Sequence, residues 1–237
     1  MSSFDNKILS TLFSLLTFHV FYATIDLRNF DLDGIFMRGK SHIVANVSSV
    51  VILTSTATIL SEVYTGVGSE PIRKGIGVTT QWFQNTGSLN PYLFAGLSCL
   101  FFLLGTLLPD IDYPYSTLGR IIYIPVKHRT WTHTIWFVIL FSVLSIWFRP
   151  LIWLAVGFFL HLFWDNFSYS GVCFIYPIIK KRKHHLIKLY ETSSPSEFIV
   201  LVVVIVLAIV LLAIVCANGL FVCLLKQLFG YLPVLKT

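Results

Sequence analysis

Residues 198–217 hold no charged, amide or hydroxyl side chain and consist almost wholly of Val, Ile, Leu and Ala. A segment of that length and character matches the roughly 20 apolar residues that a helix needs to cross the hydrocarbon of a bilayer. The rest of the chain agrees with it. Only 12% of the 237 residues are charged and 56% are hydrophobic, with a mean hydropathy of +0.79. Soluble domains carry about a quarter charged residues. The expected class is therefore an all-α, polytopic transmembrane bundle of about five to six spanning helices.

Apolar periods predict helices over 8–27, 41–63, 91–108, 132–148, 150–169 and 198–217. The first follows Lys7 but has no small-x-small cleavage site, so it reads as an anchor or span, with His19 as a packing or interfacial histidine. Residues 29–40 form a polar loop, and Gly-rich residues 64–90 form a long connection. The apolar stretch 220–232 is interrupted by Lys226 and suits the membrane interface. Three regions are expected: 1–40, an N-terminal membrane helix and polar loop; 41–178, a metal-site core; and 179–237, a basic loop, the last span and an interfacial tail. The four cysteines lack CxxC spacing and read as small buried hydrophobes. The net charge of +6 marks cytoplasmic loops rather than a nucleic-acid partner, and none is expected.

Residues 105–133 break the apolar pattern with Asp110, Asp112, Arg120, His128, Arg129 and His133. Spanning helices alternate direction. His42 begins the second predicted helix, Asp110 and Asp112 follow the third, His133 begins the fourth, and His161 and Asp165 close the fifth. All of them fall on one side of the membrane. His161 and Asp165 are four apart, on one helical face. Asp110 and Asp112, after the helix-stopping Pro109, would point the same way in an extended segment.

Ionisable groups at membrane depth are costly and mark function. Seven candidate ligands (His42, Asp110, Asp112, His128, His133, His161 and Asp165) exceed what one tetrahedral ion takes, so two divalent ions are expected. Zinc is the first choice; manganese and iron accept the same donors. Arg120 and Arg129 are candidates for holding an anionic substrate, and Ser116 for bonding a phosphate or capping a turn. Asp112 is a candidate water-orienting group or base, with Arg129 on the developing anion. The competing reading pairs Asp110 with Arg129 and Asp165 with Arg120. A cation transporter and a non-catalytic scaffold are further alternatives.

Lysines and arginines collect on the side that carries these residues (Arg28, Arg38, Lys40, Arg120, Lys127, Arg129, residues 180–183 and Lys188), which places that side in the cytoplasm. Residues 180–185, KKRKHH, read as a topology signal that touches anionic lipid.

The order His42, LPDID (108–112), HRTWTH (128–133) and HLFWDNFSYSG (161–171) resembles the YdjM-type family of membrane-bound, metal-dependent hydrolases. That pattern is roughly TH, PDxD, HRGxTHS and HxxxD followed by YG. The resemblance covers about residues 38–178. It implies a helical membrane hydrolase with its ligands at the seven positions above. A metal site at the membrane surface suits a phosphoester or other ester of a lipid or lipid-linked substrate. Ser41, Thr130, Trp131, Thr134 and Ser170 depart from the pattern, but none of the departures removes a candidate ligand.

Overall fold

The computed structural model of the chain describes residues 38–63, 88–179, 187–192 and 194–230. The expected helix over 8–27 with His19, residues 29–37 of the expected loop 29–40, residues 64–87 of the Gly-rich connection and the basic run 180–185 lie outside the described residues; residues 38–40 of that loop are helical instead.

Five α-helices make up the described fold: α1 (Arg38–Val63), α2 (Pro91–Leu107), α3 (Ile135–Leu144), α4 (Leu151–Asp165) and α5 (Pro195–Gly230). Two 3₁₀ turns, Leu108–Asp112 and Trp131–His133, bracket the loop between α2 and α3. Apolar runs explain the helices, and local chemistry fixes their ends. The Asn90 side chain accepts the N–H of Tyr92, and Pro91 occupies the first turn of α2, where its missing amide costs nothing.

The structure revises several expected boundaries. Pro109 does not stop the third helix outright; α2 tightens into a 3₁₀ turn that runs on to Asp112. The segment expected over 132–148 is α-helical only over Ile135–Leu144. Its end falls where the Ser145 hydroxyl donates to Ser142 O and where Pro150 disfavours helix in the residue before it. The segment expected over 150–169 is helical over Leu151–Asp165, and its last residues unwind to pair with 187–192. At about 1.5 Å per residue, α3 and α4 are shorter than the roughly 30 Å of hydrocarbon. α5 runs unbroken to Gly230, so residues 220–230 extend it instead of starting a separate interfacial segment.

Among the described residues, three helical stretches are long and apolar enough to cross a membrane: Ser41–Ile59, Tyr92–Asp112 and Pro195–Ala217. α1 packs along α5, α2 along α4, and α3 against α4. One apolar cluster joins Val44 and Ala45 of α1 to Trp164 of α4 and Leu201 of α5; another joins Val47 and Val50 to Phe102 and Leu160.

α2 and α4 touch backbone to backbone. A Cβ at Gly105 would lie 2.2 Å from Leu154 O, and one at Gly157 would lie 2.3 Å from Phe102 O. Asn46 of α1 reinforces this crossing, its amide donating to Gly157 O and Thr106 Oγ1 at 3.1 Å each. The crossing sets the separation of Asp110 from His161. Gly157→Ala should therefore destabilise the detergent-solubilised protein by about 1–3 kcal/mol, seen as a lower midpoint of thermal unfolding. Gly96→Ala has open space around it and should raise stability by up to about 1 kcal/mol.

Candidate metal centre

Four chain segments deliver their ionisable residues to one end of the bundle. His42 comes from the first turns of α1, Asp110 and Asp112 from the 3₁₀ turn after α2, His128 and His133 from the loop and turn before α3, and His161 and Asp165 from the end of α4. His133, His161, Asp110, Asp112 and Asp165 are all at most 3% exposed, and His42 is 6% exposed. Three overlapping groups each bring their ligand atoms within 4.8 Å of one another: His42, Asp110 and His161; Asp110, His128 and His133; and His133, His161 and Asp165.

Hydrogen bonds on the far side of each ring fix how it faces the cluster. His161 Nδ1 lies 2.8 Å from Thr106 O, a carbonyl that only accepts, so Nδ1 carries the hydrogen. The Thr132 hydroxyl gives its single hydrogen to Asp112 Oδ2 at 2.5 Å, so at 3.0 Å it accepts from His133 Nδ1. In the neutral form that binds a metal, each ring then turns an Nε2 lone pair inward. His133 Nε2 lies 3.6 Å from Asp110 Oδ1 and 3.3 Å from Asp165 Oδ2; His161 Nε2 lies 3.6 Å and 3.7 Å from the same two oxygens. Both Nε2 atoms, with Asp110 Oδ2 and Asp165 Oδ2, are buried without a hydrogen-bond partner.

Lone pairs facing carboxylate oxygens repel unless positive charge stands between them. Ligands in a tetrahedron about 2.0–2.2 Å from an ion stand about 3.3–3.6 Å apart, which matches these separations. The donor set thus fits a divalent cation, and the outer bonds to Thr106 O and Thr132 are of the kind that orient metal-bound imidazoles. His42 stacks on His161 with ring centroids 4.0 Å apart, which brings a further imidazole to the edge of the cluster.

Asp112 stands one step outside the three groups. Its Oδ1 faces His128 Nδ1 at 2.7 Å and its Oδ2 accepts from Thr132. The two carboxylates lie on a 3₁₀ turn rather than an extended strand, and residues two apart on such a turn face different ways. Asp110 therefore addresses His133 and His161, while Asp112 addresses His128 and, through Thr132, His133.

Arg129 pairs with Asp165, not with Asp110. Its Nη2 donates to Asp165 Oδ1 at 2.8 Å, and Nη1 to Ser168 Oγ at 3.0 Å; Thr192 Oγ1 lies 3.3 Å from Nη2. Its backbone takes φ 62°, the left-handed region that side-chain-bearing residues seldom adopt. This strain, on the order of 1–3 kcal/mol, is held by the three contacts of the guanidinium. Ser116 serves the loop: its hydroxyl donates to Asp110 O at 2.7 Å and accepts from Gly119 N at 2.9 Å. Arg120 is exposed on the same loop.

Residues 187–192 strap the end of α4. Leu189 N donates to Phe167 O, Tyr169 N to Tyr190 O, and the Tyr190 hydroxyl to Trp164 O at 2.8 Å. Burial, then the nearby Asp165 and Glu197 charges, push the Tyr190 phenol up from its usual range. Thr106, Thr132, Ser168, Tyr190 and Thr192 were not singled out in the sequence. Only Thr132, inside HRTWTH, and Ser168, inside HLFWDNFSYSG, sit where a motif could have drawn attention to them.

Thr132→Val should remove the acceptor that fixes His133 and lower metal affinity about 10–100-fold by titration of the purified protein. Elemental analysis of His161→Ala and Asp165→Asn should show metal content well below that of the unaltered chain.

A family model described as YdjM inner membrane protein matches residues 76–226. No curated protein and no solved structure matches the chain. The match covers more than half of the sequence, so the chain belongs to the YdjM family of inner membrane proteins.

Proposed function

We propose that this protein is a multi-pass, membrane-bound, metal-dependent hydrolase that cleaves a phosphoester or other ester of a lipid or lipid-linked substrate at the cytoplasmic face. The observation that supports this reading best is the pair of inward Nε2 lone pairs set against two buried carboxylates. Zinc is the proposed metal, and the same His and carboxylate donors also suit manganese and iron. A bound divalent cation supplies Lewis acidity and lowers the pKa of water towards neutrality.

The residues of the chain divide the remaining work. His133, His161, Asp110 and Asp165 hold one ion, with His42 beside His161. Asp110 also lies within ligand reach of His128, and a second ion would start from those two residues. Asp112 is assigned the orientation of His128 and His133, in place of the base role expected from the sequence. Arg129 holds Asp165 in position, and its buried Nε, without a hydrogen-bond partner, is a donor left over for a developing anion. Burial keeps bulk water from competing for these groups.

The test is turnover by protein reconstituted in vesicles that contain phosphodiester and carboxyl-ester lipids. Chelation should abolish product release, added zinc should restore it, and His133→Ala should reduce it to background. Undiminished turnover by His133→Ala would overturn the proposal. Cation flux across the vesicle wall without hydrolysis would favour a transporter instead.

A further inference from the structure

The loop between the two 3₁₀ turns carries a run of side chains that the metal centre does not use. Ile121, Ile122, Tyr123 and Ile124 are 77%, 57%, 50% and 40% exposed. None lies in a helix, and the exposed cations Arg120 and Lys127 flank them. Loops at the ends of spans normally face water and are polar. Four successive large apolar side chains in such a place form the kind of patch that marks a contact surface.

The run is not loosely placed. The N–H groups of Ile121 and Ile122 both donate to Leu118 O, and Ile124 N donates to Ile111 O at 3.2 Å. The last of these bonds ties the run to the residue between Asp110 and Asp112. Ile124 therefore stands beside the turn that carries the carboxylates of the candidate site.

We propose that residues 121–124 insert into the bilayer leaflet at the metal-centre end of the bundle, with Arg120 and Lys127 against anionic headgroups. Lipid is the occupant because the bundle itself exposes apolar side chains along its helices, such as Ile139, Leu140, Val203 and Val206, and because cations on both sides of the run match anionic lipid. The insertion sinks the metal centre to the headgroup level, where an ester-bearing lipid reaches it by lateral diffusion without leaving the membrane. The insertion itself depends only on the membrane placement of the chain and stands or falls separately from any hydrolytic activity.

The test places a bimane fluorophore at Ile122→Cys, with Cys99, Cys173, Cys216 and Cys223 replaced by alanine. The protein is reconstituted in phosphatidylcholine vesicles with and without phosphatidylglycerol. The expected result is strong quenching by acyl-chain-brominated lipid and little by aqueous iodide, with deeper quenching when phosphatidylglycerol is present. Strong iodide quenching with little effect of bromine would overturn the proposal by placing the loop in water. Protection from both quenchers would overturn it by showing a protein cover. A second measurement needs no substitution: a photoreactive acyl-chain lipid is crosslinked to the unaltered chain and the adducts are mapped by mass spectrometry. Adducts at 121–124 are expected; adducts on α5 with none on the loop would overturn the insertion.

Discussion

Two imidazole lone pairs face two carboxylates inside the end of a membrane bundle, and the rest of the site depends on that arrangement. The Nδ1 hydrogens are committed outward, to Thr106 O and to Thr132, so a neutral ring cannot turn a hydrogen inward without breaking a buried bond. In a poorly polarisable interior, opposed lone pairs and negative charge at 3.3–3.7 Å are far more costly than they would be in water. A cation between them would turn the same geometry into an attraction.

Much of the surrounding structure keeps that geometry fixed. The glycine contacts of α2 with α4 bring the 3₁₀ turn of Asp110 up to His161. Asn46 ties α1 into the same crossing. Arg129 takes an unfavourable backbone conformation so that its guanidinium reaches Asp165, Ser168 and Thr192 together. The strap 187–192 then closes over the end of α4, which links α5 to the site through Thr192 and Tyr190. These contacts couple the placement of the candidate ligands to helix packing, so core substitutions far from them bear on the geometry of the site.

The sequence was most legible where one rule dominated. Apolar length marked α1, α2 and the main part of α5, because backbone satisfaction in lipid leaves few alternatives to a helix. Alternation of direction placed His42, Asp110, Asp112, His133, His161 and Asp165 at one end, and the structure gathers them there, with Asp112 joined to the cluster through His128 and Thr132. Legibility failed where hydrogen bonds competed with hydropathy. The ends of α3 and α4 follow Ser145, Pro150 and the strap, none of which an apolar period registers. The turn after Leu107 is 3₁₀ because Pro109 falls in its first positions, where the missing amide is tolerated.

The residue pattern by itself determined that this chain lives in a membrane, that its helices antialign, and which acids and imidazoles meet. Those results follow from the scarcity of charge and the fixed rise of a helix, which are properties of the chain alone. The division of labour among the meeting residues was decided only in three dimensions. Asp110 and Asp112 are chemically identical and two positions apart, yet the turn aims one at the inward lone pairs and the other at His128 and Thr132. Arg129 could have balanced either Asp110 or Asp165, and the left-handed backbone carried it to Asp165. Such choices depend on side-chain direction and on who else is within 3 Å, and neither is written in residue spacing.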